Sequence, residues 1–175
     1  MAEQDSSTPI NGDGNQAGGA EQPQVAALAQ YVKDLSVENP SAPQVFQWNE
    51  QPQLDVQFNI NVNKIGDDVH EVVLKIDASA RSVSGVHFVI DLSYGGIFAL
   101  RNIPEEALAP FLLVEAPRLL FPFARQVIAA STQEAGFPPL MLDPIDFAGI
   151  FMAQAQAAVD QQQGGEGGGE TPTVQ

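Results

Sequence analysis

Apolar residues recur at every second position along three segments of the chain, residues 54–62, 72–79 and 86–94. In the first, positions 54, 56, 58, 60 and 62 are apolar, and positions 55, 57, 59 and 61 are polar. A period of two is typical of strands with one buried and one solvent-facing side. Short turn sequences separate the segments, IGDD at 65–68 and RSVSG at 81–85. The pattern predicts an antiparallel meander of three strands.

A less regular apolar run over residues 25–38 predicts a further strand, which Pro40 and Pro43 end. At Gly95-Gly96 the pattern changes from strand to helix. Pro104 followed by two glutamates is typical of a helix start. We expect Pro110, Pro117 and Pro122 to break the region that follows into short pieces. One helix is still expected over residues 123–135.

A last helix is predicted with Asp143 as its N-cap, Pro144 at its first position and Gly164 beyond its end. Its apolar positions 145, 148, 151, 152, 155 and 159 follow helical spacing. Such a stripe fits either plain core or a groove for a partner, and spacing alone favours core. Strands followed by helices predict an α+β fold: a four-stranded antiparallel sheet with helices packed on one face and a polar opposite face.

The chain has 175 residues, with 22 Asp and Glu against 7 Lys and Arg, and its net charge is −15. Seven acids and no bases lie in residues 1–23 and 160–175, so the middle carries 15 acids, 7 bases and a charge of −8. Because these ends are rich in Gly, Gln and acids, we predict disordered tails at 1–23 and 163–175 around one domain at 24–162. An acidic surface repels phosphate, so nucleic acid and anionic membrane are expected to be poor partners.

Catalytic and metal-binding motifs are missing from the sequence. The chain has no Cys, and His70 and His87 lie apart and are interpreted as polar surface residues. No HExxH or GxSxG motif is present. The sequence therefore predicts a binding protein with no catalytic residue, metal or cofactor, although a small α+β enzyme stays open as an alternative. Because the N-terminus lacks a signal peptide and no apolar stretch of about 18 residues was found, we expect the protein in the cytoplasm.

Five segments resemble a known family in order and spacing. They are YVKDLSVENPSAPQVF at 31–46, DDVHEVVLKI at 67–76, GGIF at 95–98, LFPFAR at 120–125 and GFPPLMLDPIDF at 136–147. Together they resemble the SecB family of bacterial protein-export chaperones over about residues 31–163. The resemblance implies a SecB-like homotetramer, a dimer of dimers, which holds unfolded precursor proteins and passes them to the export motor SecA without a cofactor. A SecB-like chaperone dedicated to a toxin–antitoxin pair would share the fold and is the other alternative.

The resemblance also implies that SecA docks on an acidic sheet face. By motif position the docking residues here are Asp34, Glu38, Val89 and Asp91. Strand parity agrees independently: Asp34 and Glu38 are four apart, so they share a face, and Val89 and Asp91 oppose the apolar stripe at 86–92.

Client grooves in the family lie between the sheet, the crossover after the first strand and the last helix. Flexible Met and flat aromatic rings suit a client with no fixed sequence. The implied groove residues here are Phe46, Trp48, Phe137, Met141, Leu142, Phe147, Phe151 and Met152.

Overall fold

The computed structural model describes residues 22–164, and side chains as far as residue 160. One antiparallel sheet contains four strands in the spatial order β1-β4-β3-β2. Their bounds are β1 Gln24–Glu38, β2 Gln53–Lys64, β3 Val69–Ser82 and β4 Gly85–Arg101. A 3-10 turn, Gln44–Gln47, lies in the crossover from β1 to β2. The predicted α+β class and four-stranded sheet are confirmed; the predicted tails, except residues 22, 23, 163 and 164, lie outside the described residues.

One long helical segment follows the sheet. It consists of α1 (Glu105–Pro110), a π turn (Phe111–Glu115) and α2 (Ala116–Glu134). The expectation that prolines break this region is wrong. Pro110 and Pro117 flank the π turn, where the regular hydrogen-bond ladder is already altered, Pro122 lies inside α2, and the apolar side of α2 packs on the sheet. By length and composition the segment Glu105–Glu134 could cross a membrane, but Leu120, Ala124 and Ile128 are fully buried against the sheet.

Gly95 and Gly96 lie inside β4, so the prediction that the strand character ends there is wrong. A Cβ on Gly95 would lie 2.8 Å from the ring of Tyr31, and one on Gly96 would lie 2.6 Å from Leu120 Cδ2. Tyr31 packs against the strand on the polar face, and Leu120 packs against it on the helix-covered face. The two glycines therefore let neighbouring side chains approach the strand closely from both sides.

The last helix, α3 (Phe147–Gly164), begins later than predicted. Its cap is Asp146, whose carboxylate accepts a hydrogen bond of 3.0 Å from the Gly149 N–H, so Asp143 is not the N-cap. Of the predicted stripe, Ile145, Ala148 and Phe151 are half-buried against the core, but Met152 is 69% exposed and Val159 is 45% exposed. The interpretation of the stripe as core therefore holds only near the start of α3.

Both histidines are buried, which contradicts their interpretation as surface residues. His70 is 8% exposed and His87 is 5% exposed. A register irregularity between Ala80 and Arg81 leaves His87 between the pairs Ala80–Phe88 and Arg81–Val86. Such bulges redirect a side chain, and the His87 ring contacts Trp48 and Phe137 at centroid distances of 5.1 and 6.3 Å.

Candidate functional site

The sheet face opposite the helices is mostly polar, and strand register groups its residues in rows. Side chains directly opposite in an antiparallel sheet share a face. The rows across β1, β4, β3 and β2 are Asp34–Ser93–Lys75–Asn59, Ser36–Asp91–Asp77–Gln57 and Glu38–Val89–Ser79–Asp55. We call these twelve residues the acidic face. The structure thus places all four residues of the expected docking surface together, with Asp34 and Glu38 exposed and Val89 and Asp91 half-buried.

A lysine lies among the acids of this face. Lys75 Nζ is 3.1 Å from Asp91 Oδ2 and 3.5 Å from Asp77 Oδ1. Its hydrogen bond to Asp91 and the charge of Asp77 raise the pKa of Lys75. Sequence reasoning missed Lys75, Asp77 and Asp55, because alternation gives the face of each residue but not its partner on the next strand.

A buried carboxylate lies beside the acidic face. Glu71 accepts hydrogen bonds from the Tyr31 hydroxyl, the Asn63 amide and Lys33 Nζ, the last at 2.8 Å to both of its oxygens. Hydrogen bonds from Lys33 and Tyr31 lower the pKa of Glu71 to about 2. The hydrogen bond between Tyr31 and Glu71 also raises the pKa of Tyr31 to about 12. We call these four residues the Glu71 cluster; its hydrogen bonds connect β1 with β3 and β2.

Four of the expected client residues line one open groove of about 510 Å³: Phe46, Trp48, Phe137 and Met141. The groove lies between the crossover and the segment that follows α2, with Leu54, His87 and Phe88 in its wall. The rings of Phe46 and Phe137 are 5.7 Å apart, and Trp48 meets His87 edge-on. Phe46 is 55% exposed and Met141 is 59% exposed. The groove therefore offers adaptable apolar surface rather than a shaped polar pocket.

The other four expected groove residues do not line this groove. Leu142 and Phe147 belong to the core, at 5% and 3% exposure, because the chain between α2 and α3 packs inward. Phe151 borders a separate cavity of about 170 Å³ between β2 and α3, together with Phe58 and Ile60. Met152 is exposed on α3. The groove at the crossover is therefore formed without residues of α3, contrary to the expectation that the last helix takes part.

Within residues 22–164, no three His, Cys, Asp or Glu side chains are placed to hold a metal ion. The carboxylates of the acidic face are spread over all four strands, and two of them, Asp77 and Asp91, pair with Lys75. Chemically, this face can pair with cations, and the groove can cover apolar side chains.

Comparisons with known proteins agree on one family. The family model described as "Preprotein translocase subunit SecB" matches residues 18–158. The protein-export protein SecB of Sphingopyxis alaskensis is 52% identical over 161 residues, covering 91% of this chain and 94% of that protein. The SecB of Zymomonas mobilis is 54% identical over 134 residues, covering 77% and 82%.

A solved structure resembles the fold. It is a Mycobacterium tuberculosis SecB-like chaperone in complex with a ChAD peptide from an antitoxin, with a TM-score of 0.58 and 16% identity. The match covers 70% of this chain and 91% of that chain, and at this identity it is a likeness of fold alone. The family match and the close relatives together show that this chain belongs to the SecB family of protein-export proteins.

Proposed function

We propose that this protein is a cytoplasmic chaperone that holds unfolded precursor proteins and passes them to the export motor SecA. The observation that carries the proposal is the groove of about 510 Å³, in which Phe46 and Met141 stay more than half exposed in a folded chain. Exposed apolar surface of this kind is typical of binding sites. Membership of the SecB family supports the same role.

Holding is passive in this proposal. A precursor has no fixed sequence, so it is recognised by apolar contacts with Met and aromatic side chains. Each contact is weak, but several grooves on one assembly act on the same long client and raise the effective concentration of binding sites. Because folding removes apolar segments from reach, slowly folding precursors are held preferentially.

SecA docking is assigned to the acidic face. Asp34 and Glu38 on β1 and Asp91 on β4 present carboxylates to solvent, and the half-buried Val89 adds apolar area among them. A basic SecA segment complements this face, and such pairing weakens as salt screens the charges. Docking and holding thus use different surfaces of the protomer.

Assembly as a homotetramer is supported by apolar surface outside both sites. The edge strand β1 exposes Val25, Leu28, Val32, Leu35 and Val37, each by 41% or more. Leu119 and Phe123, four residues apart on α2, are 49% and 50% exposed. An exposed apolar edge strand is prone to pair with another chain. We infer that the edge and the helix stripe are covered by other protomers in a dimer of dimers.

The groove is tested by capture of a denatured precursor in the full-length protein. Phe46→Ala combined with Met141→Ala should weaken capture about tenfold or more, since two exposed anchors are truncated without opening the core. Val83→Ala is the matched control, because Val83 is fully exposed in the β3–β4 turn. Light scattering gives the mass of each variant. Full capture by a tetrameric double variant would refute the groove, and a monomeric wild type would refute the assembly.

A further inference from the structure

The polar side of the sheet carries two lysines that are held differently. Lys33 lies in the Glu71 cluster, where the Glu71 side chain is only 10% exposed. Lys75 lies on the acidic face, and its partner Asp91 is 37% exposed, as is Lys75 itself. Although the Lys33 side chain is itself 46% exposed, a basic group of a docking partner can therefore reach the carboxylate of Asp91 more readily than that of Glu71.

Lys75 lies beside two acids that repel each other. Asp77 on β3 and Asp91 on β4 are directly opposite in the register. Like charges at such a pair destabilise a sheet. Lys75 Nζ, within 3.5 Å of an oxygen of each acid, offsets this repulsion. The ammonium thus occupies the place that a cation of a partner would take.

We infer that Lys75 is an internal competitor for the basic segment that docks on the acidic face, and that Asp77 belongs to the docking surface. The inference rests on the docking role proposed above for Asp91. On docking, a basic side chain of SecA pairs with Asp91 and Asp77 while the Lys75 ammonium swings to solvent on its flexible stem. The exchange replaces one ion pair with another, so the affinity is moderate and the complex can dissociate.

The proposed competition predicts the direction in which each substitution changes the affinity for the basic segment. Removing the ammonium frees Asp91 and makes the face more negative by one charge, so a basic segment binds more tightly. Without the Asp77 carboxylate, Lys75 pairs only with Asp91 and the face becomes less negative. Binding of a basic segment therefore weakens. Exposed ion pairs contribute up to about 1 kcal/mol, which corresponds to changes of about two- to fivefold.

The test is the affinity of the full-length protein for SecA, measured by calorimetry at low and high salt. Lys75→Met, which keeps the apolar stem, should bind two- to fivefold more tightly at low salt, and the gain should vanish at high salt. Asp77→Asn should bind two- to fivefold more weakly. Lys64→Met is the matched control, because Lys64 is exposed at the end of β2, outside the acidic face. A gain equal to that of Lys75→Met in this control would assign the effect to net charge and overturn the competition.

Two further results separate the inference from the docking proposal. If Asp91→Asn weakens binding but Lys75→Met leaves it unchanged or weaker, Lys75 is not a competitor and the docking face stands. If Asp34→Asn and Asp91→Asn both leave the affinity unchanged, the docking face itself is refuted and the competition with it. Lys75→Gln repeats the test with a polar side chain, and light scattering and thermal unfolding show that each variant is assembled and folded.

Discussion

The Tyr31 hydroxyl donates a hydrogen bond of 2.5 Å to Glu71 Oε1, 40 residues away in the chain. The ring of Tyr31 passes over Gly95, so the bond reaches from β1 across β4 to β3. Lys33 makes a second link from β1 to the same carboxylate. These two side chains thus connect the middle of the edge strand β1 to the inner strand β3. The same edge strand carries Asp34 and Glu38.

Tyr31→Phe should lower the free energy of unfolding by about 1–2 kcal/mol, because it removes one hydrogen bond to a charged, poorly exposed group. Urea unfolding at pH 7 measures the loss. The raised pKa of Tyr31, about 12, adds a second signature. Since the folded state favours the neutral phenol, wild-type stability should fall as the pH rises from about 10 to 12, and the variant should lack this fall. Ser36→Ala, on the same strand, is the control; an equal effect there would contradict the role of the bond.

Glu71→Gln should change the acid dependence of stability. The folded-state pKa of Glu71 is lowered from 4.5 to about 2, so its contribution is present above about pH 4.5 and lost as the pH falls towards 2. The wild type should therefore lose more stability than the variant over this interval. At pH 7 the variant should be less stable by about 2 kcal/mol. Denaturant unfolding between pH 2 and 7 measures both effects, and parallel pH profiles would disprove the pairing of Glu71.

Phe147→Ala and Met152→Ala should differ in stability although both lie in α3. Phe147 is 3% exposed and packs against Phe121 at 6.1 Å between ring centroids, so its truncation should cost about 3–5 kcal/mol. Met152 is 69% exposed, and its truncation should change stability by less than about 0.5 kcal/mol in the isolated protomer. Thermal and denaturant unfolding compare the two variants. Similar losses would show that another subunit covers Met152.

Asp34→Lys combined with Asp91→Lys should abolish SecA docking and leave client capture intact. The change reverses two charges of the acidic face, and the groove of Phe46 and Met141 is lined by other elements. Calorimetry with SecA and a capture assay with a denatured precursor measure the two activities. Asp143→Lys with Asp160→Lys is the control, because these exposed acids lie outside the sheet. Unchanged SecA affinity in the first variant would remove Asp34 and Asp91 from the docking site.

Strand alternation predicted the sheet and its two faces, because period two depends only on local geometry. It could not predict that Asp77 faces Asp91 or that Tyr31 reaches Glu71, since register is set by contacts between distant segments. The end of β4 was misplaced for a related reason. A glycine pair is typical of turns, but here close approach by Tyr31 and Leu120 requires it inside a strand.

The sequence by itself determined the α+β class, the polarity of each sheet face and the motifs of the SecB family. Tertiary structure decided which apolar residues stay exposed, because the same helical stripe contains a half-buried Phe151 and an exposed Met152. It also decided the state of the charges. Among the 22 acids behind the net charge of −15, Asp91 forms an ion pair with Lys75, and Glu71 forms one with Lys33. Asp34 and Glu38, in contrast, stay exposed. Composition counts these acids alike, but their pairing depends on distances that only the folded sheet sets.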